Sequence, residues 1–62
     1  PMTTIFIALV KTESCDTYTW PYRTRPERAD VIKRLHEMEG AEDLDWYEAT
    51  TSVHIEEEEL AD

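Results

Sequence analysis

The strongest pattern along the chain is an early run of apolar residues. Residues 3–10 read TTIFIALV, and the side chains of a strand alternate between its two sides. The two resulting sets are Ile5, Ile7 and Leu9 on one side, and Phe6, Ala8 and Val10 on the other. A strand that is apolar on both sides is typical of the centre of a sheet, so we predict a central strand here.

A second strand is predicted directly after a polar turn at residues 11–16. Residues 17–22 alternate, with the aromatic side chains of Tyr18, Trp20 and Tyr22 on one side. Two such segments joined by a short turn should form a hairpin. Pro21 has no amide proton for a ladder hydrogen bond, which predicts that this strand is an edge strand.

A helix is predicted to begin at residues 24–26 and to end at Gly40. Thr24 and Glu27 have the spacing of a capping box, and Pro26 suits a first helical turn. Gly40, the only glycine, lies where a left-handed C-cap would end the helix. The spacing predicts that one face of this helix is apolar and consists of Val31, Ile32, Leu35 and Met38.

The C-terminal third allows two interpretations. Residues 43–49 suit the start of a short helix, whereas the alternation from Tyr47 to Ile55 suits a strand. We favour a strand over residues 47–57, followed by a frayed end at residues 58–62. The fold class is then α+β with the order ββαβ. A three-stranded antiparallel sheet of order 2-1-3 carries one helix on one face. Residues 2–62 form a single domain, and Pro1, before Met2, is interpreted as an expression-tag remnant.

The small size of the chain leaves one side of this sheet without an obvious cover. The chain has 62 residues and one cysteine, so no internal disulfide supplements its core. One helix covers one side only, and either apolar set of the central strand is left open, widened by the hairpin aromatics. The residues we select as a candidate binding surface are Phe6, Val10, Tyr18, Trp20 and Tyr22. The alternative is that Trp46, the aromatic tips and the polar tail fold over this side.

Charge is distributed unevenly along the chain. The net charge is −9, and all six basic residues lie within the first 34 positions, where four acidic residues accompany them. From Leu35 onward there are eleven acidic residues and no Lys or Arg. Direct nucleic-acid binding requires a basic surface, so this distribution disfavours it and favours a protein partner with a basic surface.

The carboxylates in the acidic half fall into two groups that are candidates for partner binding. These are Glu42, Asp43, Asp45 and Glu48 in one group, and Glu56, Glu57, Glu58 and Glu59 in the other. Closely spaced carboxylates can imitate a nucleic-acid backbone and occupy a basic groove. The alternative is that the glutamate run is only a solvated end. A smaller basic cluster, Arg23, Arg25 and Arg28, is interpreted as pairing with the acidic half.

Motifs for chemistry are weak. His36, His54 and Cys15 show no metal-ligand spacing, and no glycine-rich phosphate loop is present. Neither a helix N-terminus nor a histidine is predicted near Cys15 in the sequence, so nothing there would activate its thiol as a nucleophile. We therefore expect no catalytic residue, no metal and no cofactor. The longest apolar run, residues 5–10, is too short to cross a membrane, and a lone thiol favours the cytoplasm.

In its length, its acidity, its aromatic hairpin and its lack of catalytic residues, the chain resembles small accessory proteins encoded by bacteriophages. That resemblance implies a stoichiometric inhibitor of a host enzyme with a basic, nucleic-acid-binding surface, acting in the host cytoplasm. It carries over no functional residue. Two alternatives remain open, namely a structural module that forms a homodimer through its sheet and an antitoxin-like partner of a basic toxin.

Overall fold

The computed structural model describes residues 2–61, which form three strands and two helices in the order ββααβ. The elements are β1 (Met2–Lys11), β2 (Thr17–Tyr22), α1 (Arg28–Glu39), α2 (Leu44–Thr50) and β3 (Ser52–Ala61). Pro1, interpreted above as a tag remnant, and Asp62, at the expected frayed end, lie outside the described residues.

The three strands form one antiparallel sheet of order β2-β1-β3. The α+β class and the strand order predicted from the sequence are both confirmed. Ala8 lies opposite Trp20 of β2 and Ile55 of β3, so the doubly apolar strand is indeed the central one. From Phe6 to Lys11 it has a hydrogen-bonded strand on each side, as a buried strand requires.

The turn between β1 and β2 is closed by hydrogen bonds around Thr12. Its carbonyl accepts from the Cys15 amide at 3.0 Å, and its amide donates to the Asp16 carbonyl at 2.9 Å. The Asp16 amide donates to the Thr12 hydroxyl at 3.0 Å. Closing the turn in this way places Cys15 at a φ of 68°. This left-handed conformation is unfavourable for residues other than glycine, because their Cβ atom approaches the backbone too closely.

Helix α1 begins later than predicted. Its first residue is Arg28, and its N-cap, Glu27, has extended backbone angles and no side-chain capping bond, so the Thr24 capping box is not used. Residues before a proline avoid helical angles, and Arg25 precedes Pro26. The predicted end is confirmed, because Gly40 has a φ of 61° and donates its amide to the His36 carbonyl at 2.9 Å.

A second helix, α2, replaces the start of the predicted third strand. Asp43 caps it by accepting a hydrogen bond from the Trp46 amide at 2.9 Å, and Tyr47 turns inward and is buried. The prediction of one helix was therefore incomplete, and the strand begins at Ser52 rather than at Tyr47. Alternation misled the prediction because an inward-facing Tyr47 fits a helix as well as a strand.

Strand β3 extends further than predicted. The expected frayed end does not appear at residues 58–61, which pair with the start of β1: Ile5 lies opposite Glu58, and Met2 lies opposite Ala61. Strand β2 reaches only as far as the pair of Phe6 and Tyr22. Residues 2–5 and 58–61 thus form a two-stranded ribbon that extends past the rest of the sheet, and the long dimension of the molecule is 43 Å.

Both helices cover one face of the sheet, here called the covered face. The buried core on this face consists of Ala8, Val10, Trp20, Val31, Ile32, Leu35 and Tyr47. Tyr18, Tyr22, Trp46, Val53 and Ile55 pack around it. Burial of a Val, Ile or Leu side chain contributes roughly 1.5–3 kcal/mol, so the three buried residues of α1 account for much of its docking. Met38, predicted to share the apolar face of α1, is 53% exposed instead.

Two matched substitutions in β1 should test which face is covered. Val10→Thr places an unpaired hydroxyl in the core and should lower the free energy of unfolding by about 1–3 kcal/mol. Ile7→Thr, on the other face, should cost less than about 1 kcal/mol, because a half-buried side chain loses little apolar contact. Urea denaturation measures both. An equal or larger loss for Ile7→Thr would contradict the assignment of the faces.

The backbone angle of Cys15 generates a second stability prediction. Cys15→Gly should raise the free energy of unfolding by about 0.5–1 kcal/mol, because glycine adopts a positive φ without strain. The greater conformational entropy of glycine in the unfolded chain offsets part of this stabilisation. Cys15→Ala is the control, since it keeps the strain and should change stability by less than about 0.5 kcal/mol. Equal effects of the two substitutions in urea denaturation would contradict the explanation.

Candidate functional site

The other face of the sheet, here called the open face, has no helix over it among residues 2–61. Ile5, Ile7 and Leu9 form a half-buried apolar stripe along its centre. The residues beside the stripe are Thr17, Thr19 and Pro21 on β2, and Ser52, His54, Glu56 and Glu58 on β3, all of them exposed. The stripe is therefore one strand wide, uncharged along one side and acidic along the other.

The register brings carboxylates directly beside apolar side chains. Glu58 lies opposite Ile5, and Glu56 lies opposite Ile7. Side chains that are opposite each other in antiparallel strands have Cβ atoms about 5 Å apart. Leu60 is 48% exposed and lies opposite Thr3, which extends the apolar surface into the ribbon.

A shallow depression of about 300 Å³ lies at the other end of the stripe. Leu9, Lys11, Thr19 and His54 are among its lining residues. The His54 imidazole Nε2 is 3.6 Å from the Glu56 carboxylate, and both side chains are largely exposed. Its volume would accommodate one large apolar side chain.

The apolar residues predicted to bind a partner lie on the covered face instead. Val10 and Trp20 are 2% and 7% exposed and belong to the core, so a partner does not reach them in this structure. Tyr18 stacks on Trp20 with ring centroids 5.4 Å apart. The Arg34 guanidinium lies 4.2 Å from the Trp20 ring centroid, and Arg34 Nη1 donates to the Tyr22 hydroxyl at 3.3 Å. These contacts close the edge of the core.

Phe6 lies at the end of the covered face beneath Arg25. The guanidinium carbon of Arg25 is 5.0 Å from the Phe6 ring centroid, and its Nη2 is 3.5 Å from Glu57 Oε1. Both charged side chains are about half exposed, so the ion pair contributes little stability. Its effect is to cover the Phe6 ring and to join the basic and acidic halves of the chain.

The acidic residues predicted to act together are divided among several surfaces. Glu56 and Glu58 face the open side, whereas Glu57 and Glu59 alternate to the other side. Glu42, Asp43, Asp45 and Glu48 lie in and before α2, and all are exposed. Asp43 is engaged in capping, so its replacement should cost about 1 kcal/mol of stability. The run of four glutamates is therefore not one patch.

The basic cluster is partly engaged within the molecule. Arg28 Nη2 donates to the Glu48 carbonyl at 2.8 Å and to the Thr51 carbonyl at 3.0 Å. These carbonyls lie at the C-terminal end of α2, where helical carbonyls need donors. Pairing of Arg25 with the acidic half is as expected, whereas Arg28 binds backbone carbonyls rather than carboxylates.

A hydrogen-bond network at the end of α1 joins the sheet to both helices. Glu39 accepts from the Tyr18 hydroxyl at 2.8 Å and from the Tyr47 hydroxyl at 3.3 Å. The Tyr47 hydroxyl in turn accepts from the Ala41 amide at 3.3 Å. The hydrogen bond to Glu39, partial burial and nearby negative charge raise the pKa of Tyr18 above its usual value of 10.0.

The remaining candidate groups are dispersed. His36 contacts the edge of the Tyr47 ring at 5.6 Å, and Cys15 is an exposed free thiol in the β1–β2 turn. Within residues 2–61, no three His, Cys, Asp or Glu side chains lie close enough together to hold a metal ion. Neither helix has the length and apolarity needed to cross a membrane.

The binding surface predicted from the sequence did not include the stripe. The sequence analysis also did not predict that Glu56 and Glu58 lie beside the stripe. The signal was present in the alternation of β3. Continued past residue 57, the same period of two places His54, Glu56, Glu58 and Leu60 on one face. The expected frayed end at residues 58–62 prevented that connection.

Comparison with family models, with curated proteins and with solved structures gave no match to this chain. The structure defines the class of the protein as a small α+β domain with one open sheet face. Its function is therefore inferred from the geometry of that face.

The Tyr18 contact predicts a pH dependence. A pKa raised by folding stabilises the folded state below the unfolded value of 10.0, and this contribution is lost as pH rises through the folded value. Stability measured by urea denaturation from pH 8 to pH 11 should fall more steeply for the parent than for Tyr18→Phe. Tyr22→Phe is the control for loss of a tyrosine hydroxyl, because the Tyr22 hydroxyl accepts from Arg34 rather than donating to Glu39. Parallel curves for the parent and Tyr18→Phe would contradict the role of this hydrogen bond.

Proposed function

We propose that this chain is a non-catalytic module that binds a protein with a basic surface through the open face of its sheet. The observation that supports the proposal is the apolar stripe of Ile5, Ile7 and Leu9 beside Glu56 and Glu58. An accessible apolar patch rimmed by charge on one side is typical of protein-binding surfaces.

The two parts of this surface would contribute differently to binding. Burial of the apolar stripe supplies affinity, since affinity is concentrated in well-packed apolar contacts at the centre of an interface. Exposed carboxylates at the rim mainly increase the association rate and select partners of opposite charge. A basic partner with an apolar strip would contact both the apolar stripe and the carboxylates at its rim.

The distribution of charge supports a basic partner. The net charge is −9, and only a few carboxylates of the acidic half have intramolecular partners in the described residues. These include Glu39 with two tyrosines, Asp43 at the start of α2, Glu56 beside His54, and Glu57 with Arg25. The other carboxylates contribute a negative potential that extends about 10 Å at 0.1 M salt.

Such a module would act as a stoichiometric inhibitor when the basic surface of its partner is the one that normally holds nucleic acid. This is the mode of action implied by the resemblance to accessory proteins of bacteriophages. An antitoxin that neutralises a basic toxin would use the same surface in the same way. The partner's own chemistry, rather than the binding surface, distinguishes these two cases.

Two double substitutions in β3 test the proposal with equal change of charge. Glu56→Gln with Glu58→Gln removes the carboxylates of the open face, and Glu57→Gln with Glu59→Gln removes those of the other face. In affinity capture from a lysate, we expect the first pair to weaken retention of a basic partner about threefold to tenfold. The second pair should leave retention nearly unchanged, although it breaks the exposed Arg25 ion pair.

Salt provides an independent measurement on the purified partner. The difference between the two double variants should be largest at low salt, should appear mainly in the association rate, and should shrink as salt rises. Equal effects of the two double variants would mean that net charge alone is responsible. Retention by both variants at the parent level would contradict the proposal.

A further inference from the structure

The shape of the open face restricts what can cover it. The apolar stripe is one strand wide, and the positions beside it on β2 and β3 are polar. Face-to-face packing of two sheets requires apolar positions on neighbouring strands as well. A partner sheet would therefore bury polar side chains such as Thr19 and Glu56 on both sides of the stripe.

A single extended segment fits this face poorly. The backbone hydrogen bonds of a sheet lie in its plane, so a strand laid on the face of the sheet finds no partners for its own amides and carbonyls. These groups would remain unpaired against Ile5, Ile7 and Leu9. A helix satisfies its backbone internally and presents a narrow apolar strip.

The dimensions also match a helix. Four residues separate Ile5 from Leu9 in β1, so the stripe is about 13 Å long at roughly 3.3 Å per residue. Three helical turns span about 16 Å. The covered face provides a precedent within the molecule, since Val31, Ile32 and Leu35 of α1 lie in the core against the opposite side of the same strand.

The two flanks of the stripe differ in charge, so a helix that binds there must differ between its own two flanks. Along β3 the stripe is bordered by Glu56 and Glu58, whereas along β2 it is bordered by Thr17, Thr19 and Pro21. A complementary helix would carry Lys or Arg along the flank that faces β3 and uncharged residues along the other. One larger apolar residue near its end would enter the depression beside Leu9 and His54.

Resting on the proposed function, we infer that the open face binds an amphipathic helix of about three turns in the partner protein, with its apolar strip on Ile5, Ile7 and Leu9 and its basic flank along Glu56 and Glu58. A second copy of this chain is a less suitable occupant, because two chains of net charge −9 would repel each other and Glu56 and Glu58 would lack basic partners.

The test uses the full chain and a synthetic peptide of about 18 residues, long enough to be helical in isolation. The peptide is rich in alanine, with leucines at helical spacing and lysines along one flank of the leucine strip. A second peptide contains the same residues with leucine and lysine alternating, which favours an extended structure. A third replaces each lysine of the first with glutamate. Binding is measured by titration of amide chemical shifts at low salt.

We expect the helical basic peptide to shift the amides of Ile7, Leu9 and Glu56 and to bind at least tenfold more tightly than either control peptide. Glu56→Gln with Glu58→Gln should weaken it about fivefold, and Glu57→Gln with Glu59→Gln less than twofold. Ile7→Ser should weaken it about tenfold. The shift pattern of the free variant establishes that it remains folded, and Leu9→Ser is the second variant should Ile7→Ser unfold.

Three results would overturn the inference: tighter binding of the alternating peptide, peptide shifts confined to other surfaces, or self-association through the open face that the helical peptide does not compete with. These results are distinct from failure of the proposed function. If a captured basic partner depends on Glu56 and Glu58 while the helical peptide does not bind, the binding function stands and the helical partner is wrong. If the captured partner does not depend on them, the function itself fails.

Discussion

A central strand that is apolar on both sides needs apolar cover on both faces of its sheet. Strand β1 presents Ala8 and Val10 to one face and Ile7 and Leu9 to the other, and within residues 2–61 helices lie over only one of these faces. Helices α1 and α2 both lie over the same face and complete a small core there. Because only one face is covered, Ala8 and Val10 are core residues, whereas Ile7 and Leu9 stay partly accessible to solvent.

Charged side chains supplement the apolar core of the covered face. Arg34 lies over Trp20, Arg28 binds the carbonyls at the end of α2, and Glu39 accepts from two tyrosines. A chain of this size buries too little apolar surface to rely on its core alone. Several charged side chains of this chain, Arg28, Arg34 and Glu39, therefore supplement the apolar core.

Much of the sheet could be predicted from the sequence, because period-two alternation and Pro21 report directly on strand position. Helix α2 could not, because its signal is the Asp43 cap and a single inward residue, Tyr47, which alternation explains equally well. The end of β3 was missed because a run of glutamates is typical of a solvated tail. Pairing with β1 overrides that tendency here.

The candidate surface was harder to predict than the fold. Sequence alternation separates the two apolar sets of β1, but it does not say which set the helices will cover. That choice depends on the side of the sheet to which the chain crosses after β2, which no local residue pattern specifies. Val10 and Trp20 were therefore selected for binding, whereas the structure places them in the core.

The ten-residue strand β3 leaves one long backbone edge without a neighbouring strand in the described residues. Such an edge is a template for pairing with another copy and for fibril growth. Antiparallel pairing of two such edges would bring the four glutamates of one copy against those of the other, and like charges directly opposite each other are destabilising. Repulsion between these carboxylates therefore disfavours pairing of two copies along their β3 edges.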